Sequence, residues 1–385
     1  MDPRSSGQSP RAAAEAASRR VARSAAARAA AEDHDGGFPA EDLADLARLG
    51  LLAAPVPRAA GGAGLGEEPG AESLAAVLRR IGSGSLALGR VYEGHVNALQ
   101  LVARYASLGQ RESLFSDARD GHLFGVWNTE PEQGGLSLVA APGGYRLEGR
   151  KTFASGAGHV TRALVTARTE PGAPPLMLVV PLEPGTRHDL SAWRAQGMRA
   201  SATGTIDFSG LAIGPDAILG GPDDYHRQPE FSGGAWRFAA VQLGGIDAVL
   251  DAWRRHLDAT QRGADPHQLA RLGEGALAAE TASLWVGRAA AIVAQGTRPP
   301  EEIVAYVNLA RLAVERAGLD VLQLAQRSVG LQGFLRDHPL ERLSRDLATY
   351  LRQPAPDRAL AGAAEHVLGS GAEAGDLWAD RPEAS

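Results

Sequence analysis

The chain has 385 residues, 44% of them hydrophobic and 22% charged, which fits a globular protein of two or three packed regions. A net charge of −6 argues against a dedicated nucleic-acid binder, and the absence of cysteine excludes disulfides, thiolate metal sites, iron–sulfur clusters and a cysteine nucleophile. Aromatics make up only 5%, so the core must rest on Leu, Val and Ala.

Residues 1–10 are polar and predict a disordered tail. Arg11, Arg19, Arg20, Arg23 and Arg28 then interrupt an alanine-rich stretch. A secretory signal needs an unbroken apolar run, so this stretch reads as a surface helix, with a cytoplasmic location by default. No run reads as the roughly 20 apolar residues that cross a bilayer. From about 11 to 120 the pattern is helical, with Leu43, Leu46 and Leu49, then Leu74, Val77, Leu78 and Ile81, at three- and four-residue spacing. Pro39 ahead of Glu41 and Asp42 suits a helix start, and the Gly/Pro-rich Pro55–Gly70 piece reads as a loop.

From about 121 to 225 short β-like runs appear: Leu123–Trp127, Gly144–Leu147, Ala163–Ala167, Leu176–Val180 and Thr205–Phe208. Turn residues separate them at Pro142-Gly143-Gly144, Pro171-Gly172 and Pro184-Gly185. From about 226 to 369 long helices return, over Trp236–Leu257, Leu269–Ala294 and Glu301–Val329, and Asp337 and Pro339 open another. Residues 370–385 predict a second disordered tail. The expected fold is a multidomain α+β chain: an N-terminal all-α domain, a small central β-barrel or sandwich, and a C-terminal four-helix bundle.

Several motifs fail on inspection. Gly61–Gly66 has the wrong spacing for a dinucleotide loop, because Glu67 stands where the third glycine belongs and no clear strand precedes it. There is no phosphate-binding loop of the GxxxxGK[ST] type, no HExxH and no GxSxG elbow. Asp223, Asp224 and His226 cluster in a loop and read as solvated rather than metal-ligating, so no metal is expected.

Three pieces of the β region carry a resemblance. They are Trp127-Asn128-Thr129-Glu130-Pro131 with Gly134-Gly135, then Gly144 to Gly156 ending in Lys151-Thr152-Phe153-Ala154-Ser155-Gly156, then Gly197-Met198-Arg199-Ala200-Ser201-Ala202-Thr203-Gly204 with Ile206-Asp207-Phe208. In order and spacing this set resembles the acyl-CoA dehydrogenase family over about residues 15 to 368. The resemblance implies FAD, with Trp127, Asn128 and Thr129 near the polar edge of the isoalloxazine and Phe153, Ala154 and Ser155 along one face. Phe153 stands where the family usually has Trp, and Ser155 where it has Thr. The plainer reading makes Phe153 a core strand residue and Ser155 a turn residue. The family's dinucleotide-binding arginine motif falls on Arg262-Gly263-Ala264-Asp265 without its phenylalanine, and its later glutamine falls on Arg327.

The resemblance implies dehydrogenation of an acyl thioester at a CH–CH group, with homodimeric or homotetrameric assembly and an external electron acceptor. Such a reaction calls for a carboxylate base, worth about 10²–10⁴ in rate. The usual slot follows Arg345-Asp346 and falls on Pro354; the alternative slot falls near Gly234. Neither is acidic. Arg345 and Asp346 read as a helix salt bridge at a domain contact. A related branch of the fold contains flavin monooxygenases, in which Ser155 would support the oxygen chemistry of a flavin reduced by a separate reductase. That branch needs no α-proton base, and it has a histidine after the hairpin, here His159, although its histidine near the chain end falls on Gln353. A non-catalytic binding or assembly role is the third reading. None of the three involves nucleic acid or a membrane.

Overall fold

The computed structural model describes residues 9–379, so the parts of the expected tails at 1–8 and 380–385 lie outside the described residues. Helix α1 (Pro10–Glu32) is capped by the Ser9 hydroxyl, which accepts from the Ala12 N–H, with proline in the first turn. Its buried stripe is Ala14, Ala17, Val21 and Ala25, while Arg19, Arg20 and Arg23 face outwards. Then follow α2 (Ala40–Arg48), α3 (Ala71–Gly84), α4 (Leu86–Tyr105) and α5 (Leu108–Arg119), with only a single short turn in the Gly/Pro-rich loop before α3.

The central region contains β1 (Phe124–Trp127), β2 (Ser137–Ala141), β3 (Gly144–Glu148), β4 (Arg150–Ala154), β5 (Arg162–Ala167) and β6 (Leu176–Pro181). The shorter β7 (His188–Asp189), β8 (Gly204–Asp207), β9 (Ala212–Ile213) and β10 (Ile218–Leu219) complete it. They form three small sheets, ordered β1-β5-β6-β10, β2-β3-β9 and β4-β8-β7. Only β1 and β5 pair in parallel, with Phe124 opposite Arg162 and Trp127 opposite Val165. The pairing of β4 slips between Lys151 and Ala154, and Phe153 takes a φ of +52° there. A slip of this kind re-aims a side chain.

The chain ends in α6 (Glu230–Gly233), α7 (Ala235–Ala259), α8 (Pro266–Gln295), α9 (Pro300–Val329), α10 (Pro339–Tyr350) and α11 (Pro356–Gly369). Helices α7, α8 and α9 pack on one another, α10 lies mainly against α7, and α11 closes the bundle against α9. The two helical regions are not independent. Helix α3 crosses α7 at Gly82 and Gly244, where a Cβ on either glycine would overlap the other helix's backbone. One apolar core therefore runs from Val21 through Leu78 and Ile246 to Leu351.

Two expectations need correction. Residues 370–379 are not a loose tail: Trp378 packs edge-on against Tyr306 at 5.2 Å and stacks on His366, and its carbonyl accepts from Arg288 and Arg298. Helix α8 is also more apolar than the residue-by-residue reading allowed, being long and apolar enough to qualify as a membrane span by composition, with 33% of that window buried. Leu277 and Leu284 lie outward on it, 70% and 66% exposed.

Candidate functional site

Three stretches distant in sequence meet at one edge of the β domain. The buried Trp127 ends β1, and its indole Nε1 donates to the Ser155 carbonyl at 3.0 Å. The Thr152 N–H donates to the Thr129 carbonyl at 2.9 Å, and the Gly156 and Ala157 N–H groups donate to Ser201 and Ala202 at 2.9 Å each. The Ser155 hydroxyl accepts from Thr203 Oγ1 at 3.2 Å, and that oxygen lies 2.7 Å from Ser201 Oγ. The Gly197–Gly204 stretch is in turn docked on α10. Met198 N–H donates to Asp346 Oδ1 at 2.6 Å, and Gly197 N–H to Thr349 Oγ1 at 3.2 Å. Gly197 sits so close to the Arg345 carbonyl that a Cβ would overlap it.

Arg345 and Asp346 accordingly hold parts of the fold together, but not by pairing with each other. Arg345 donates to Glu341 at 2.6 Å within α10, to Asp33 at 2.6 Å just beyond α1, and to the Gln196 carbonyl at 2.6 Å. Burial pushes the Asp346 carboxyl up from its ordinary range, opposed by the Met198 N–H and Arg342.

The six residues expected around a flavin ring share this edge, with different faces. Thr129 and Phe153 point outwards, Ser155 is half-buried, and Trp127 and Ala154 are buried. Asn128 turns inwards: its side-chain oxygen accepts from the Thr166 hydroxyl and its carbonyl from Lys151 Nζ at 3.2 Å. Phe153 is 61% exposed, with only Trp193 edge-on at 6.3 Å. An uncovered aromatic wall with the Thr129 and Ser155 hydroxyls beside it is the donor set and surface that an isoalloxazine ring needs, so these residues fit a flavin. Arg262 and Arg327 are not brought here. Arg262 Nη1 donates to the Ser328 carbonyl at 3.3 Å at the far end of α9. His159 stacks on Phe38 with ring centroids 3.6 Å apart, and burial lowers its pKa. Among the loop trio, Asp223 pairs with His226 at 2.7 Å and Asp224 with Arg227 at 2.6 Å.

Behind the hairpin lies a cavity of about 710 Å³ bounded by α4, α6, α7, α9 and α11. Val126 lines it and also borders a small gap whose other walls include Arg90, Gly94, Trp127 and Ser155. Gly234 and Pro354, the two positions that correspond to the family's carboxylate base, lie on the cavity wall. Each is attended by a guanidinium. A Cβ at Gly234 would come within 2.5 Å of Arg237 Nη2, and Arg311 Nη2 donates to the Pro354 carbonyl at 2.7 Å.

A polar chain crosses the cavity floor. The buried Glu93 carboxylate accepts from Arg90 Nη1 at 2.7 Å and from the Asn97 amide, whose oxygen accepts from Arg237 Nε. Burial draws the Arg237 pKa down to about 10, with Glu93 opposing. Burial likewise pushes the Tyr225 hydroxyl up to about 12 and the Tyr350 hydroxyl further, with Glu93 adding to both and Arg90 opposing. Among the described residues the Tyr350 hydroxyl and the Trp236 indole nitrogen are buried without a partner. Sequence reasoning missed this chain. Its signal was available: Arg90, Glu93 and Asn97 fall at i, i+3 and i+7 within the apolar α4, a polar stripe on one helix face.

The chain matches the N-terminal domain of acyl-CoA dehydrogenase over residues 8–122 and the C-terminal domain over residues 225–351. It is 25% identical over 373 residues to the dibenzothiophene monooxygenase of Mycolicibacterium goodii, covering 87% of this chain and 89% of that protein. It is 26% identical over 337 residues to the human (Homo sapiens) mitochondrial short-chain specific acyl-CoA dehydrogenase, covering 83% and 80% respectively. Its backbone superposes on FMN-bound TdsC from Paenibacillus sp. A11-2 with a TM-score of 0.82 at 20% identity, over 95% of this chain and 100% of that one. With two matching domains flanking a β region of the same architecture, the chain belongs to the acyl-CoA dehydrogenase family of flavin-dependent enzymes.

Proposed function

We propose that this protein is a flavin-dependent monooxygenase built on the acyl-CoA dehydrogenase fold, adding one oxygen atom to a small organic substrate held in the cavity. The observation that carries this reading is the state of the two base slots. Gly234 and Pro354 both face the cavity, neither is acidic, and a guanidinium stands at each. Oxidation of an acyl thioester needs a free carboxylate at the α-proton. The carboxylates lining this cavity are Glu93 and Glu230, and they are tied to Arg90 and Arg104. Oxygen transfer has no such requirement. The activity of the dibenzothiophene monooxygenase relative supports the same choice over CH–CH dehydrogenation.

The hairpin residues would hold a reduced flavin, whose chemistry would supply the two electrons that, with two protons, let one atom of dioxygen enter the substrate and the other leave as water. Phe153 would wall one ring face, and the Thr129 and Ser155 hydroxyls would bond its edge. The Tyr350 hydroxyl is buried and has no partner among the described residues.

We read the flavin as FMN rather than the expected FAD. Arg262 and Arg327, which the resemblance assigns to the dinucleotide half, sit at the Ser328 end of α9. Arg311 at the cavity is 17 residues back along that helix, about 25 Å at 1.5 Å per residue. The exposed leucines of α8 give a face for self-association, so a homo-oligomer through the bundle completes the reading. The test has an anaerobic arm and an aerobic one. Acyl-CoA thioesters added to the flavin-loaded protein should leave the oxidised flavin spectrum unchanged, whereas reduced FMN from a separate reductase should support aerobic turnover of heteroaromatic substrates. Bleaching by an acyl-CoA would overturn the proposal.

A further inference from the structure

The charges on the cavity wall have a sign. Besides Tyr225, which stays neutral, six ionisable side chains line it: Glu93, His226, Glu230, Arg237, Arg311 and Arg358. The two acids are each matched by an arginine, Glu93 by Arg90 at 2.7 Å and Glu230 by Arg104. The three arginines are not matched by a carboxylate on the cavity wall. Arg237 donates through Nε to the neutral Asn97 oxygen, and among the described residues its two terminal nitrogens have no acceptor. Arg311 gives one nitrogen to the Pro354 carbonyl at 2.7 Å, while Arg358 bonds no described residue and stands exposed on α11.

The Glu93 charge reaches Arg237 only through Asn97, so an anion placed against the two unspent Arg237 nitrogens would add direct charge-assisted hydrogen bonds. Arg237 also lies beside Gly234, where a Cβ would come within 2.5 Å of the guanidinium Nη2 as it stands. Leu101, Val126, Phe231, Phe238 and Val304 give the wall an apolar part, beside the neutral polar Asn97, Gln228, Ser232 and Asn308. A molecule with a flat apolar body and one acidic group matches both parts: the body against these side chains, the carboxylate or sulfonate bridging the two free Arg237 nitrogens.

We propose that the cavity selects an anionic substrate, an aromatic or heteroaromatic carboxylate or sulfonate, with Arg237 as the anchoring cation and Arg311 and Arg358 guiding it in. This names the substrate class of the proposed monooxygenase and rests on that reading for the reaction, but not for the binding.

The probes are 2-naphthoate and its neutral counterpart 2-naphthamide, titrated calorimetrically into the full-length protein without flavin. The acid should bind about tenfold or more tightly than the amide, as one charge-assisted hydrogen-bonded pair provides. Arg237→Gln should abolish that preference and Arg237→Lys keep part of it. Arg358→Gln, at the exposed end, should weaken the acid about two- to threefold and gives a readout if the Arg237 variant does not fold. Equal affinity for acid and amide overturns the proposal, as does an acid preference that survives undiminished in the Arg237→Gln and Arg358→Gln proteins. Binding of the acid with no oxygen transferred to any substrate would instead count against the monooxygenase reading alone.

Discussion

His95 should make the joint between α4 and β1 sensitive to acid. The ring is buried with no exposure, its Nε2 donates to the Leu52 carbonyl at 2.8 Å, and its Nδ1 accepts from the Phe124 N–H at 3.1 Å. One donor and one acceptor require the neutral tautomer. A second proton would set N–H against N–H, and burial holds the pKa down to about 4. The sign follows from linkage. Between pH about 6.5 and 4 the unfolded chain binds a proton that the folded protein refuses, so stability falls as pH falls through that window and levels off below it. A lowering from 6.5 to about 4 corresponds to about 3 kcal/mol. His95→Gln cannot titrate, so its stability should be lower at pH 7 by about 1–3 kcal/mol, from imperfect hydrogen bonds. The advantage of the wild type over the variant should shrink steadily as the medium is acidified. Urea unfolding of both proteins at half-unit steps from pH 4 to 8 measures it. A difference between the two that does not change with pH refutes the reasoning.

Phe153→Ala should weaken flavin binding several-fold, about 0.5–1.5 kcal/mol of lost ring contact, while leaving the melting temperature unchanged because the side chain is largely exposed; fluorescence titration with FMN reads the first and a thermal melt the second. Arg345→Ala should cost about 2–3 kcal/mol, since it leaves Asp33 and Glu341 without one shared partner and frees the Gln196 segment, and denaturant midpoints would register it. Replacing both Leu277 and Leu284 on α8 by glutamate should shift the protein to a smaller species in sedimentation velocity, and an unchanged mass would show that this face is not an interface.

The three-part architecture was legible because each part has its own period. Long Ala/Leu repeats placed α7, α8 and α9 within a few residues, and short β-branched runs between glycine and proline turns marked β1, β5, β6 and β8. Strands β7, β9 and β10 escaped because two residues carry no periodicity, and their pairing is set by neighbours. The order around Tyr306 of residues 370–379 escaped as well, because a polar composition does not reveal that one tryptophan finds an aromatic surface far away in sequence. At the site, the hairpin around Thr129 and Phe153 was readable from residue order. That Gly234 and Pro354 face one cavity was not, since the two are 120 positions apart and are brought together only by packing of α7 and α11 against α9. The cationic lining was hidden for the same reason: Arg237, Arg311 and Arg358 sit on three helices, and each alone reads as an ordinary surface arginine.

The most direct test of the account follows the oxygen atoms. The protein, supplied with reduced FMN and a heteroaromatic acid under ¹⁸O₂, should give a product heavier by one labelled oxygen, and none when the solvent carries the label instead. A product that is two hydrogens lighter, with no labelled oxygen, would contradict it.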